Sequence, residues 1–268
     1  MLKAVVLGAG GRMGGRIITM IAQSDVIELG AALEKAGHPT IGKDAGEVAG
    51  IGRNGIIIGD NLAAGFPKGD VVIDFTHHSA ALEHVELAAA TGKAIVIGST
   101  GFSSEEIAAI EKQAEKVRCV LSPNMSVGVN LLFKVLETVA GILGDDYDVE
   151  IVETHHNLKK DAPSGTAMRM AQIIATALAR NLDEVGVYER KGMIGERSKK
   201  EIGIQTIRAG DIVGEHLVLF AGGSERLEFI HRAHSRDNFA RGALRAAQWI
   251  VTKNNGLYDM QDVLGLKG

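Results

Sequence analysis

The chain is poor in cysteine: Cys119 is the single one among 268 residues. That excludes an internal disulfide and any metal site built on several thiolates. Its neighbours Arg118, Val120 and Leu121 read as a strand, so Cys119 is expected to be a buried structural thiol. A charge bias is lacking too. Lysine and arginine total 29 against 33 acidic residues, a net charge of −4, which removes the electrostatic case for a nucleic-acid partner. The apolar runs look no longer than strands or core helices, so no membrane span is expected. The chain opens directly on a core-strand pattern, with no secretory leader expected. Internal repeats and low-complexity tracts are missing. What remains is 46% hydrophobic, enough for one large or two smaller cores. The combination fits a cytoplasmic enzyme.

Glycine is what the chain has in quantity, 34 residues placed at turns between apolar runs. The most informative turn comes first. Leu2-Lys3-Ala4-Val5-Val6-Leu7 reads as a buried strand. Gly8-Ala9-Gly10-Gly11-Arg12-Met13-Gly14 follows, and Arg16 to Ala22 reads as a helix. Strand, glycine turn and helix form the context of a dinucleotide fingerprint. The spacing is G-x-x-G-x-x-G, because Met13 stands where the usual last glycine would be. Small residues still allow the tight turn and let the backbone approach a pyrophosphate at the helix start. A second strand, Val26 to Leu33, ends at Glu34, an acid placed to accept hydrogen bonds from ribose hydroxyls. Lys35 beside it can pair with the 2′-phosphate of NADPH as a point charge. Use of both NADH and NADPH is therefore expected.

Strand and helix patterns alternate onward: Val71 to Phe75, Ala80 to Ala90, Ala94 to Ile97, Ser103 to Lys116 and Val117 to Leu121. The alternation predicts an α/β fold with a Rossmann-like, doubly wound parallel sheet. The strand ends collect Phe75, Gly98, Ser99, Thr100, Ser122, Pro123 and Asn124 at one edge, where such sheets bind ligands. The stretch from Glu34 to Gly55 is irregular and long for a loop. After Asn124 the character changes. One long helical pattern, Ser126 to Leu143, precedes strand patterns at Tyr147 to His156, Glu201 to Arg208, Glu215 to Phe220 and Glu225 to His231. These predict a second, α+β domain with an open mixed sheet. A helical pattern from Asn238 to Thr252 follows.

Within that second part lies His155-His156-Asn157-Leu158-Lys159-Lys160-Asp161-Ala162-Pro163-Ser164-Gly165-Thr166. A strand ends, a cationic loop follows, and a helix opens. The open helix start offers N–H groups and a positive dipole end to an anion. Two histidines stand ready for proton transfer. Adjacent residues on an extended strand face opposite ways, so both serve one site only if the strand breaks there. A metal reading finds no third ligand at recurring spacing, and no metal is expected. His77 stands where it could touch the cofactor, but surface or structural roles are the default for His77, His78, His231 and His234.

These motifs, with Asp74-Phe75-Thr76, Gly98-Ser99-Thr100-Gly101-Phe102, Asn124-Met125-Ser126-Val127-Gly128-Val129-Asn130, Glu153-Thr154 and Arg208 to His216, resemble the dihydrodipicolinate reductase family. The resemblance runs in order from the first strand into the last third of the chain. It implies a dinucleotide-binding domain, residues 1–125 completed by 236–268, and a substrate-binding and oligomerisation domain, 126–235. Two chain crossings would make a hinge. It implies a cyclic dicarboxylate substrate that receives a hydride from NADH or NADPH and a proton beside it, on the diaminopimelate route to lysine. It implies His155 and Lys159 as the proton-transfer pair, and His156, Ser164, Gly165 and Thr166 as substrate contacts. His155 suits the acid role with no shift of its pKa, and Lys159 suits it if crowding with Lys160 favours proton release. Cofactor contacts fall on Gly8, Ala9, Gly10, Gly11, Arg12, Met13, Glu34, Lys35, the strand-end residues above and Met125. Met125 replaces a phenylalanine common in the family, leaving only backbone contacts there. A homotetramer joined through substrate-domain sheets is implied as well.

Two other readings compete. Another two-domain NAD(P) oxidoreductase, acting on aspartate or homoserine, would keep the glycine turn but not Ser164-Gly165-Thr166 behind the histidines. A dinucleotide-sensing regulator would bind NADH without turnover.

Overall fold

The apolar run Leu2–Leu7 forms β1, and its glycine turn leads into α1, Arg12–Ala22. Then come β2 (Ile27–Leu33), α2 (Ala45–Ala49), α3 (Leu62–Gly65), β3 (Val71–Asp74), α4 (His78–Thr91), β4 (Ala94–Ile97), α5 (Ser104–Ala114) and β5 (Arg118–Leu121). The middle of the chain holds α6 (Val127–Leu143), β6 (Asp148–His155), α7 (Gly165–Ala177), α8 (Leu182–Val185), β7 (Gly186–Val187), β8 (Ile202–Arg208), β9 (Gly214–Ala221) and β10 (Arg226–Ala233). Last come α9 (Asp237–Ile250), β11 (Gly256–Tyr258) and α10 (Met260–Val263). The structure, a computed structural model, describes residues 1–267. The chain divides into two compact units: residues 1–127 with the segment from Arg236 onward, and residues 128–235.

The first unit is a six-stranded sheet in the order β11-β5-β4-β3-β1-β2. Every pairing in it is parallel. Its central strands are buried on both faces, so they read as unbroken apolar runs rather than alternating ones. Helices α1, α9 and α10 pack on one side through Ile17, Ile18, Ala243, Ile250 and Met260. Helices α4 and α5 cover the other through Val85, Ala88 and Ile110. Helix α1 starts at Arg12, earlier than the apolar pattern showed. Gly11 is its N-cap, and the small or polar first turn carries no apolar period. Helix α5 opens with a full capping box between Ser103 and Glu106. The irregular stretch after Glu34 is organised around buried Asp44. Its carboxylate accepts from the N–H groups of Gly46, Glu47, Asn54 and Gly55 at 2.7–3.1 Å. Cys119 is fully buried, and burial pushes its thiol up to about 12, so it is no nucleophile.

The second unit is a five-stranded mixed sheet in the order β10-β9-β6-β8-β7. β6 is parallel to β8 and antiparallel to β9. Helices α6 and α7 cover one face, Phe133, Leu136, Met170 and Ile174 packing on Val149, Ile151, Val218 and Phe220. One expectation is corrected here. Val127–Asp146 forms 20 helical residues of mean hydropathy 1.6, long and apolar enough to cross a membrane by length and composition. Asn130, Lys134 and Glu137 interrupt the run in the sequence, yet the average stays high. Its Val129, Phe133, Leu136 and Ala140 are core residues of the second unit, with Leu132, Val139 and Leu143 packed against that core, which accounts for part of the apolarity. The glycine-punctuated excursion after Asn181 also carries two elements that periodicity missed, α8 and the short edge strand β7.

Candidate active site

The first unit builds its site at the carboxyl end of β1, where the chain departs to β2 on one side and β3 on the other. Such a switch point leaves a crevice for a ligand. Gly8 adopts φ +70, which favours glycine. The Gly11 N–H returns to the Gly8 carbonyl at 2.9 Å, closing the turn. A Cβ on Gly14 would overlap the Gly8 carbonyl oxygen, so helix α1 sits on the turn at a distance only glycine allows. A Cβ on Gly10 would overlap Thr40 and His38. Ala9 is buried and its N–H is bonded to Leu33. Arg12 is exposed at the first helical position, and Met13 packs on the core. Glu34 accepts from the Gly10 N–H at 3.0 Å and from the Lys35 N–H at 3.1 Å. It therefore sits against the turn, with Lys35 exposed beside it. The small-residue cradle and the placed acid fit a dinucleotide.

The strand-end residues divide. Phe75 packs its ring on Gly98, where a Cβ would overlap it. Ser99 donates to the Thr76 carbonyl at 2.8 Å, and Thr100 is exposed. Ser122 is buried and donates to the Asn124 carbonyl at 2.9 Å. Pro123 is exposed, and the Asn124 side chain accepts from the Ser126 N–H at 2.8 Å. Met125 departs from the expected edge position. It is 2% exposed in the core, with α9 pressed so close that a Cβ on Gly242 would overlap the Met125 carbonyl. Its side chain is a packing residue.

In the second unit β6 ends at His155, and the His156 carbonyl accepts from the Lys159 N–H in a turn. The strand thus breaks between the two histidines. His155 is nearly buried, and its Nδ1 meets the Glu153 carboxylate at 2.5 Å. Glu153 is fully buried and gathers the site. It accepts two bonds from the Arg208 guanidinium at 2.8 and 2.9 Å, the Ser164 N–H at 2.9 Å and the Thr206 hydroxyl at 3.2 Å. His216 lies across from Glu153 on β9, with its ring edge to His155 at 5.3 Å. Its Nε2 meets the Ser164 hydroxyl at 3.0 Å. His156 is half-buried, and its Nδ1 has no partner among the described residues.

Helix α7 begins at Gly165, with Ser164 as N-cap. Ser164 is already committed: its N–H goes to Glu153 and its hydroxyl caps Ala167. These bonds make it hold the helix start. Gly165 is exposed, and a Cβ there would meet open space. Half-buried Thr166 follows in the same first turn. The Lys159 ammonium is bound to Asp161 at 2.7 and 2.8 Å rather than crowded by exposed Lys160. Burial lowers the His155 pKa below its ordinary 6.5, although Glu153 opposes the shift. The expectation of an unshifted imidazole is corrected accordingly. Burial, reinforced by His155 and His231, pushes His216 down to about 3, so it stays neutral. Burial alone would raise Glu153, but Arg208, His155 and the Ser164 N–H hold it below the usual carboxylate range. No cluster of metal-ligating side chains occurs among the described residues.

Sequence reasoning missed Glu153, Arg208 and His216 as site residues. All three stand inside the motifs that carried the resemblance. A buried-strand alternation that places a glutamate on the core face at position 153 was the available signal.

Comparison with known proteins matches this arrangement. A family profile described as "Dihydrodipicolinate reductase, N-terminus" matches residues 2–125, and one described as "Dihydrodipicolinate reductase, C-terminus" matches 128–264. The chain belongs to the dihydrodipicolinate reductase family. It is an oxidoreductase with a Rossmann-like NAD(P)-binding fold. A 4-hydroxy-tetrahydrodipicolinate reductase of Syntrophus aciditrophicus (strain SB) is 62% identical over 267 residues, covering 100% of both chains. The protein of that name from Desulfotalea psychrophila is 56% identical, covering 100% of this chain and 99% of its own. Among solved structures, a dipicolinate-bound dihydrodipicolinate reductase from Paenisporosarcina sp. TG-14 superposes with a TM-score of 0.75 at 26% identity, covering 98% of each chain.

Proposed function

We propose that the chain reduces 4-hydroxy-tetrahydrodipicolinate, via dihydrodipicolinate, to tetrahydrodipicolinate in the diaminopimelate route to lysine. The observation that carries this is full-length identity of 62% to a reductase of that name, joined to a histidine–lysine loop at a helix start. The glycine turn and Glu34 would hold NADH or NADPH, which supplies the hydride when bound. Lys35 would read the 2′-phosphate, so that both cofactors serve. The strand-end residues from Phe75 to Asn124 would complete that contact surface.

The chain's own residues then have a divided task. The N-terminus of α7, at Gly165 and Thr166, would bind one ring carboxylate. Lys159 and His156 would answer the other. The likeness to a dipicolinate-bound structure supports a two-carboxylate site. Hydride addition leaves an electron-rich enamine, and His155 or Lys159 would deliver the proton to the neighbouring carbon. Glu153 fixes His155 through Nδ1, leaving Nε2 as the atom that exchanges protons. The open face of the second sheet carries Val152, Leu217 and Ile230 in one cross-strand row, which supports assembly into a homotetramer through sheets. Reduction of a small amino-acid precursor with a soluble nicotinamide cofactor fits a cytoplasmic enzyme. Loss of NADH absorbance with substrate made in situ by the preceding synthase tests the reading. Turnover with aspartate semialdehyde alone would overturn it, and binding of NADH without turnover would favour the regulator.

A further inference from the structure

The opposite edge of the first sheet carries a feature that this chemistry does not use. The loops entering β4, β5 and β11 line an open pocket of about 610 Å³ formed by Gly92, Lys93, Lys116, Val117, Arg118, Lys253, Asn254 and Asn255. Four of those residues are cations and none is an acid. None of the four forms an ion pair among the described residues. Two are held in place: Arg118 donates to the Val251 and Gly92 carbonyls at 2.8 and 3.1 Å, and the Lys253 ammonium lies 4.6 Å from the centre of the Trp249 ring.

Helices α4, α5 and α9 all end beside this pocket, and cations offset the negative end of a helix dipole. Each such end amounts to roughly half an elementary charge, so three supply about 1.5 negative charges against four positive ones. Arg118 on its two carbonyls already answers much of that. An excess of about two positive charges remains, gathered in a concave site on a chain whose net charge is −4.

We propose that this pocket binds a compact polyanion carrying two or more negative charges, of the kind a di- or triphosphate group presents. Lys93, Lys116 and Lys253 surround it, and the Asn254 and Asn255 amides add neutral donors. Arg118 forms the fixed floor. The site is made wholly by the first unit and lies at the amino ends of its strands, whereas the glycine turn lies at a carboxyl end.

The test is calorimetric titration of the full-length protein at low salt with inorganic tripolyphosphate, and separately with ATP. Wild type should bind tripolyphosphate. The triple variant Lys93→Gln, Lys116→Gln, Lys253→Gln should weaken binding at least about tenfold while keeping NADH affinity and turnover. Equal affinities for the two probes would mean that the phosphate tail alone is read; tighter binding of ATP would mean a nucleotide. Either supports the site. No binding to wild type, or binding untouched by the triple variant, overturns it. Melting temperature without anion gives a second readout. Lysines in excess repel one another, so the variant should melt no lower than wild type. A clear drop, with no tripolyphosphate stabilisation of wild type, would leave them as helix-end compensation alone.

Discussion

At the scale of single residues, Glu153 decides what His155 can do. It is buried without exposure, yet stays ionised because Arg208 and two further donors surround it. Its charge opposes the burial that lowers the His155 pKa. If His155 delivers the proton, kcat/KM requires its protonated form. Activity should then fall as pH rises through a value below 6.5. Glu153→Gln removes the opposing charge and should move that limb to still lower pH. At neutral pH the loss should be smaller than the roughly 10²–10⁴-fold loss expected for His155→Ala. Glu153→Asp should restore part of the profile. Steady-state kinetics from acid to neutral pH read this directly. A flat wild-type profile would assign the proton to Lys159. On the cofactor side, Lys35→Ala should weaken NADPH use by about 1–3 kcal/mol and leave NADH nearly untouched. Equal losses for both cofactors would show that Lys35 does not read the phosphate.

At the scale of elements, the first turn of α7 is the place to test the dianion. Gly165 faces open space, so Gly165→Ala meets no protein atom within 4 Å and should fold normally. A methyl group there would still intrude on a carboxylate approaching the main chain. Pyridine-2,6-dicarboxylate should compete with substrate, and pyridine-2-carboxylate should bind far more weakly. Gly165→Ala should narrow that gap, and Thr166→Val should narrow it too. Similar inhibition constants for the two ligands on wild type would sink the two-carboxylate model. Element types were legible wherever a period was strong. The buried runs β1, β3 and β4 and the capping box of α5 followed from pattern alone. The start of α1 was harder, because Arg12 opens a turn whose residues are small or polar; the start of α7 followed from Ser164-Gly165-Thr166. The network around Glu153 was not legible by spacing. Arg208 is 55 residues away, and Ser164 meets His216 across 52. Only the order of strands, with β6 between β8 and β9, brings these side chains together.

At the scale of the whole molecule, the helices of the second unit cover one face of its sheet among the described residues, and its own elements leave the other open. Register places Val152 opposite Leu217 and Leu217 opposite Ile230, so the three share that face across three strands. Ile207 and Ile230 are each 46% exposed in the single chain. A face of aligned aliphatic side chains covers itself well against a second copy of the same face, because twofold contacts are self-complementary. Charged groups at Glu215, Glu228 and Arg232 border the row and would set the register of such a contact. Ile230→Asp places a carboxylate in the middle of it. That side chain is exposed in the monomer, so the change should cost the isolated fold little. In an assembled interface it would bury an unpaired charge, a cost of several kcal/mol. Sedimentation velocity should therefore show a tetramer for wild type and smaller species for Ile230→Asp, with NADH binding retained. A wild-type monomer would refute assembly through this face. A variant that stays tetrameric would move the contact to another surface, and the exposed edge of α6 at Leu131 and Ile142 would be the next to probe.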